Sequence, residues 1–196
     1  MKKFNVLVMA LIAIMMIGCE KNSNDIVPNN PNVPAGTGAI QSPQVTNDYS
    51  NQEISDMVVQ FENGHFRDIH ASQVPEIITT AFIRDFQNVR DVEWEVGVSN
   101  PDVYEVEFEA AGRDYTAFYD LQGNLLMYIV ELWWNEVPQA VKNAVSAKYA
   151  GYYIDDVDRV SVGNTVIYQV DLEKGNSEIF AHFTENGDFI SEGIDY

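Results

Sequence analysis

One phrase occurs twice in this chain, and the repetition limits what it can fold into. VPEIITTAFIRDF at residues 74–86 returns as VPQAVKNAVSAKY at residues 137–149, an offset of 63. Val74, Ile77, Ile78, Ala81, Phe82 and Phe86 recur at helical spacing, as do Val137, Val141, Ala144, Val145 and Tyr149. Each segment predicts an amphipathic helix with proline in its first turn, where a missing N–H is harmless. Ser72 and Asn135, at matching places upstream, are the expected N-caps. The shared alanine and aromatic positions read as core.

After each helix the apolar period changes from helical to two. DVEWEVGV alternates Val92, Trp94, Val96 and Val98 with acids, and VYEVEFEA sets Tyr104, Val106 and Phe108 against Glu105, Glu107 and Glu109. In the second copy IYQVDLEK puts Tyr168, Val170 and Leu172 inward. Such alternation marks strands with one face on a core and the other in water. Gly123 and Gly187, each between apolar runs, mark hairpin turns. The predicted strands are 91–98, 103–110, 113–119 and 124–132, then 156–162, 165–173, 177–184 and 188–194. VVQFENGHFRDI, residues 58–69, has the same turn logic and predicts a lone hairpin before the first helix. The expected fold is α+β: a tandem repeat of one helix plus a four-stranded antiparallel meander, preceded by an N-terminal hairpin, with the helices on one face of the sheet. Duplication enlarges a core too small for one unit.

The chain carries a formal charge of −19, and residues 1–18 hold two lysines and no acids, so their removal leaves about −21. That balance argues against nucleic acid and against adsorption to anionic lipid, both of which need positive surface. Residues 1–18 themselves read as an export signal: Lys2 and Lys3, then an apolar run to Ile17 that is too short to span a bilayer. MIGC then resembles a bacterial lipobox, with Gly18 before the only cysteine, Cys19, and Met16 where leucine is usual. Cys19 is therefore the expected lipidation site, and the mature chain has no disulfide. Residues 19–54, rich in Asn, Pro, Gly and Ser, read as a disordered tether. Residues 55–134 then hold the hairpin and first repeat, and 135–196 the second.

The Val-Pro helix start, the Tyr-x-Val-x-Phe strand and the Asn/Asp-Gly hairpin, in tandem behind a lipoprotein signal, resemble the PepSY-like family, also called beta-lactamase-inhibitor-like, of exported Bacteroidetes lipoproteins. The resemblance implies tandem helix-plus-sheet units with a curved open sheet face. It carries over no inhibitory residue.

No catalytic set stands out, and no cofactor is implied. His65, His70 and His182 lack the convergent partners of a metal site. Asp155, Asp156 and Asp158 form the weak candidate for calcium, without the glycine and distal glutamate of an EF-hand loop. The main anomaly is LLMYIVELWWNEVP, residues 125–138, which is apolar on both alternating sets and ends in Trp133-Trp134. One reading is a central strand covered on both faces. The other is an apolar patch of Phe118, Met127, Ile129, Trp133 and Trp134 that grips a partner. The functional expectation is a non-enzymatic, lipid-anchored binding protein of the cell envelope, periplasmic or at the cell surface. It would be monomeric, inhibitor- or chaperone-like, and would hold a protein or peptide on its sheet face. The alternative is a small-ligand or calcium-binding module.

Overall fold

The computed structural model describes residues 49–194. The expected export signal, Cys19 and most of the tether lie outside the described residues. Nine strands form one antiparallel sheet in chain order: β1 (Phe66–Ile69), β2 (Val89–Gly97), β3 (Val103–Ala110), β4 (Arg113–Asp120), β5 (Leu125–Glu131), β6 (Tyr153–Val162), β7 (Thr165–Lys174), β8 (Ser177–Thr184) and β9 (Phe189–Ile194). The described residues also form three α-helices: α1 (Asn51–Glu62), α2 (Glu76–Asp85) and α3 (Gln139–Lys148).

The two Val-Pro helices and the eight expected strands are present with bounds shifted by a few residues. The helix starts differ from expectation. Pro75 and Pro138 are themselves the N-caps, and Ser72 and Asn135 lie in single 3-10 turns, Ala71–Gln73 and Trp134–Glu136. The residue before a proline is driven to extended backbone, so neither helix can reach back across Val74 or Val137.

The expected N-terminal hairpin is corrected. Residues 58–62 close α1, and only the segment after the Asn63–Gly64 turn is a strand. A capping box starts α1: the Ser50 hydroxyl accepts from Glu53 N–H while the Glu53 carboxylate accepts from Ser50 N–H. The tether expectation therefore also ran too far, since Asn51 to Ile54 form the first turn of this helix.

The two expected helices lie on one face of the sheet, and α1, which was not expected, lies on the other. Cross-strand pairing places Trp94, Val106, Ala117, Tyr128, Ser161, Tyr168, Val170 and Ala181 on one side of the sheet. There α2 packs Ile78, Ala81, Phe82 and Phe86 on the first half, and α3 packs Val141, Val145 and Tyr149 on the second. Phe82 sets its edge against Trp94 and Phe108, at centroid distances of 5.3 and 5.0 Å. Phe118, Met127, Ile129, Val160 and Ile167 point to the opposite side, where α1 covers them with Ile54 and Val58.

The β4–β5 and β8–β9 turns are each pressed under the start of a helix. Gly123 and Gly187 have φ of +74° and +81°, and a Cβ there would lie 2.9 Å from the Ile77 carbonyl and 2.5 Å from the Ala140 carbonyl. Gly112 shares the positive φ, +77°, but faces open space. Gly112→Ala should therefore lose about 1 kcal/mol, from backbone conformation alone. Gly187→Ala should lose clearly more, because the α3 backbone must also move. Urea denaturation of both variants checks the order; equal losses would show that the turn and α3 are not in tight contact.

Candidate functional site

Two places on this frame gather polar or exposed aromatic side chains. The first lies beneath α1. His182 on β8 is 0% exposed. Gln169 donates through Nε2 to Glu62 Oε1 at 3.0 Å and to Asp171 Oδ1 at 3.4 Å, so its Oε1 accepts from His182 Nε2–H at 2.7 Å. Nδ1 is then the acceptor, with the Ser55 hydroxyl at 2.7 Å and the Ser191 hydroxyl at 3.1 Å. Burial pushes the imidazole down to about 4, against an opposing pull from Asp56, so the ring is neutral near pH 7. A cleft of about 430 Å³ opens beside this network between α1 and the β8–β9 edge, lined among others by Ser55, Asp56, Phe180 and Ser191. Ser55 is itself buried, and its hydroxyl is committed to His182 and to Ser191 at 2.6 Å. The arrangement joins α1 to the second half of the sheet and presents no free nucleophile to solvent.

The second place is the end of the sheet where β5 runs into α3. Trp133 is 64% exposed and Trp134 38%. Neither is on a loose loop. Trp133 N–H donates to Glu136 Oε2 at 3.1 Å, and Glu136 is ion-paired with Arg113, which also donates to the Glu131 carbonyl at 3.2 Å. Lys142 Nζ donates to the Asn135 carbonyl and stands 5.7 Å from the Trp134 ring centroid, a cation–π contact within the chain. Beside Trp133 a cleft of about 270 Å³ is lined by Glu109, Gly112, Arg113, Asp114, Glu131 and Leu132.

The expected five-residue patch is therefore divided. Phe118, Met127 and Ile129 are 2%, 0% and 8% exposed, buried because α1 lies over them; Phe61 of α1 stacks on Phe118 at 4.6 Å. They offer no open surface, and of the two readings of this strand the covered one describes it. Trp133 and Trp134 remain at the surface. Asp155 and Asp156 sit in a bulge of β6, and Asp158 points to the α1 side. Among the described residues no three acidic, histidine or cysteine side chains are placed to hold a metal ion. Burial raises the carboxyls of Asp156 and Asp158 above the ordinary range, and neighbouring acids add to this. His65 and His70 are exposed, and His70 caps the 3-10 turn by accepting from Ser72 N–H.

The family described as Putative beta-lactamase-inhibitor-like, PepSY-like matches residues 59–127 and again 130–191. The chain belongs to that family. A BLIP-like protein from Bacteroides fragilis is similar in structure, with 26% identity and a TM-score of 0.55 over 61% of this chain and 85% of that one. A DUF2874 family protein from Bacteroides uniformis gives 24% identity and 0.56 over 61% and 88%. A protein from Bacteroides eggerthii described as a putative periplasmic protein gives 19% and 0.57 over 62% and 88%, a likeness of fold alone. No curated protein matches. No helix among the described residues is long and apolar enough to cross a membrane.

His182 yields a pH prediction. Its folded pKa, about 4, lies below the ordinary 6.5, so the unfolded chain takes the proton first. The contribution of the neutral ring is whole above about pH 6.5, falls as pH drops, and is lost near pH 4, a change of roughly 3 kcal/mol. His182→Gln keeps a hydrogen-bonding side chain without the titration. Between pH 7 and 4.5 its stability should fall less than that of the natural protein by about that amount. Parallel curves in urea would contradict the buried neutral ring.

Proposed function

We propose that this protein is an exported, lipid-anchored and non-enzymatic binding protein of the cell envelope, a monomer that holds a protein or peptide partner at the Trp133–Trp134 end of its sheet. The observation that carries this reading is the exposure of two adjacent indoles on a turn already fixed by Glu136 and Arg113. A fixed aromatic loses little conformational freedom on binding, and tryptophan dominates many contact surfaces. The sheet face first expected to do this work is occupied by α1, so the surface at the joint of the two halves is the better site. We read those halves, α2 with β2–β5 and α3 with β6–β9, as duplicated units, because each carries a bulge at the same place in its first strand pair and in its last. The BLIP-like description of the Bacteroides fragilis relative favours an inhibitor- or chaperone-like role, and the periplasmic description of the Bacteroides eggerthii protein favours the envelope.

A photo-reactive amino acid in place of Trp134, in the full-length chain expressed in its own envelope, tests the reading. The expected result is a discrete crosslinked species that excess unlabelled protein competes away and that Trp133→Ala removes. Trp133→Ala should leave stability within about 0.5 kcal/mol, since the side chain is largely in water. A crosslinking pattern unmoved by Trp133→Ala would refute the proposed surface.

A further inference from the structure

The cleft beside Trp133 has a chemical character that the fold does not require. Glu109 stands directly opposite Asp114 across β3 and β4, and Glu131 directly opposite Asp158 across β5 and β6. All four point to the α1 side of the sheet. Directly opposed like charges destabilise a sheet. Glu109 is neutralised by Arg90, and Arg113 is taken up by Glu136. Asp114, Glu131, Asp156 and Asp158 form no salt bridge among the described residues. The Glu131 carboxyl is raised first by burial and then by Asp156 and Asp114, against an opposing pull from Arg113.

Trp133 supplies a π-face at the mouth of this cleft, and among the described residues no cation stands over it, whereas Lys142 stands over Trp134. The chain thus shows, one residue away, the contact that the empty ring can make. The geometry points to a cation-receiving site: the cleft of Trp133, Asp114 and Glu131 takes a lysine or arginine side chain of a basic partner segment. This rests on the proposed docking surface and names its partner's chemistry. An ammonium or guanidinium is attracted to an indole face and, at close range, to carboxylates such as Asp114 and Glu131 that form no salt bridge, although Arg113 lies beside Glu131 in the same cleft. A partner with positive surface is also drawn to a chain of formal charge −19 at long range. An acidic partner meets repulsion from the carboxylates, and a purely apolar one desolvates them without a salt bridge in return.

The test uses the full-length chain in detergent, isotope-labelled at its indoles, and a capped Gly-Ser-Lys-Ser-Gly peptide. The control peptide carries acetyl-lysine, which keeps the stem and removes the charge. The lysine peptide should move the Trp133 indole N–H signal and leave buried Trp94 unmoved, with a dissociation constant on the order of millimolar. Acetylation, or salt at about 0.5 M, should weaken binding at least about fivefold. The double variant Asp114→Asn with Glu131→Gln should do the same with no fall in melting temperature, since it relieves two directly opposed like-charge pairs. Equal shifts from the acetylated peptide, or none from either, would overturn the inference. So would calcium chloride alone shifting the cleft signals while the peptide does not, which would make it a divalent-cation site. A Trp134 crosslink lost in Trp133→Ala but indifferent to the double variant and to salt would leave the docking surface standing and remove only its cationic occupant. Peptide binding without any Trp133-dependent crosslink would keep the cation site and discard the docking surface.

Discussion

The structure depends on how a single sheet of nine strands keeps both faces dry where it must. One face is closed by α2 and α3, each lying over its own four strands. The other carries an apolar strip of Phe118, Met127, Ile129, Val160, Val162 and Ile167 through the centre of the sheet. Left open, that strip would be a large contiguous apolar surface, which monomers rarely expose. The α1 helix closes it. It reaches across both halves: Phe61 stacks on Phe118 of β4, Glu62 receives Gln169 of β7, and Ser55 meets His182 of β8. The halves are thus joined twice, by the β5–β6 ladder and by α1.

This joint is apolar at its middle and polar toward β8 and β9. Phe118 and His182 occupy corresponding strand positions in the two halves, yet one buries a ring against a ring and the other a ring within a hydrogen-bonded network. Every buried side-chain polar atom has a partner among the described residues. A fully satisfied network fixes one position of α1 along the sheet, where apolar contacts alone would tolerate sliding. The same network makes that position sensitive to acid, because a neutral imidazole is part of it.

Most of the sheet was legible because strand alternation is a strong signal when one face is covered. Tyr104, Val106 and Phe108, or Tyr168, Val170 and Leu172, allow only one inward side. The α1 helix is masked in the sequence because Asn63-Gly64 followed by Phe66 looks like a hairpin, although here the turn joins a helix to a strand. Signals of a helix are nonetheless there: Ser50 and Glu53 form a capping box, and Ile54, Val58 and Phe61 share a helical stripe. Doubled apolarity in β5 announced a strand covered on both faces, but periodicity cannot say which element does the covering. The exposed indoles were visible as a dipeptide, and their exposure was not, since that follows from the 3-10 turn that directs them outward. The carboxylate row was hidden for a related reason: Glu109, Asp114, Glu131 and Asp158 meet only through cross-strand register.

Departures from local rules are concentrated at this same end of the sheet. Among the described residues, three other than glycine have positive φ: Asn88, Asp91 and Ala111. Asparagine and aspartate tolerate that conformation, but alanine gains nothing from it and loses on the order of 1 kcal/mol. Ala111 precedes Gly112 at the lip of the Trp133 cleft. A strained turn, a row of opposed carboxylates and a largely solvated tryptophan each lower stability or solubility, and none is needed to close the core. Sequences that are otherwise consistent from propensity to packing break their own rules chiefly where a surface serves something other than folding. That argument supports the proposed docking surface at the junction between β5 and α3, and leaves to α1 itself the structural work of covering the apolar strip.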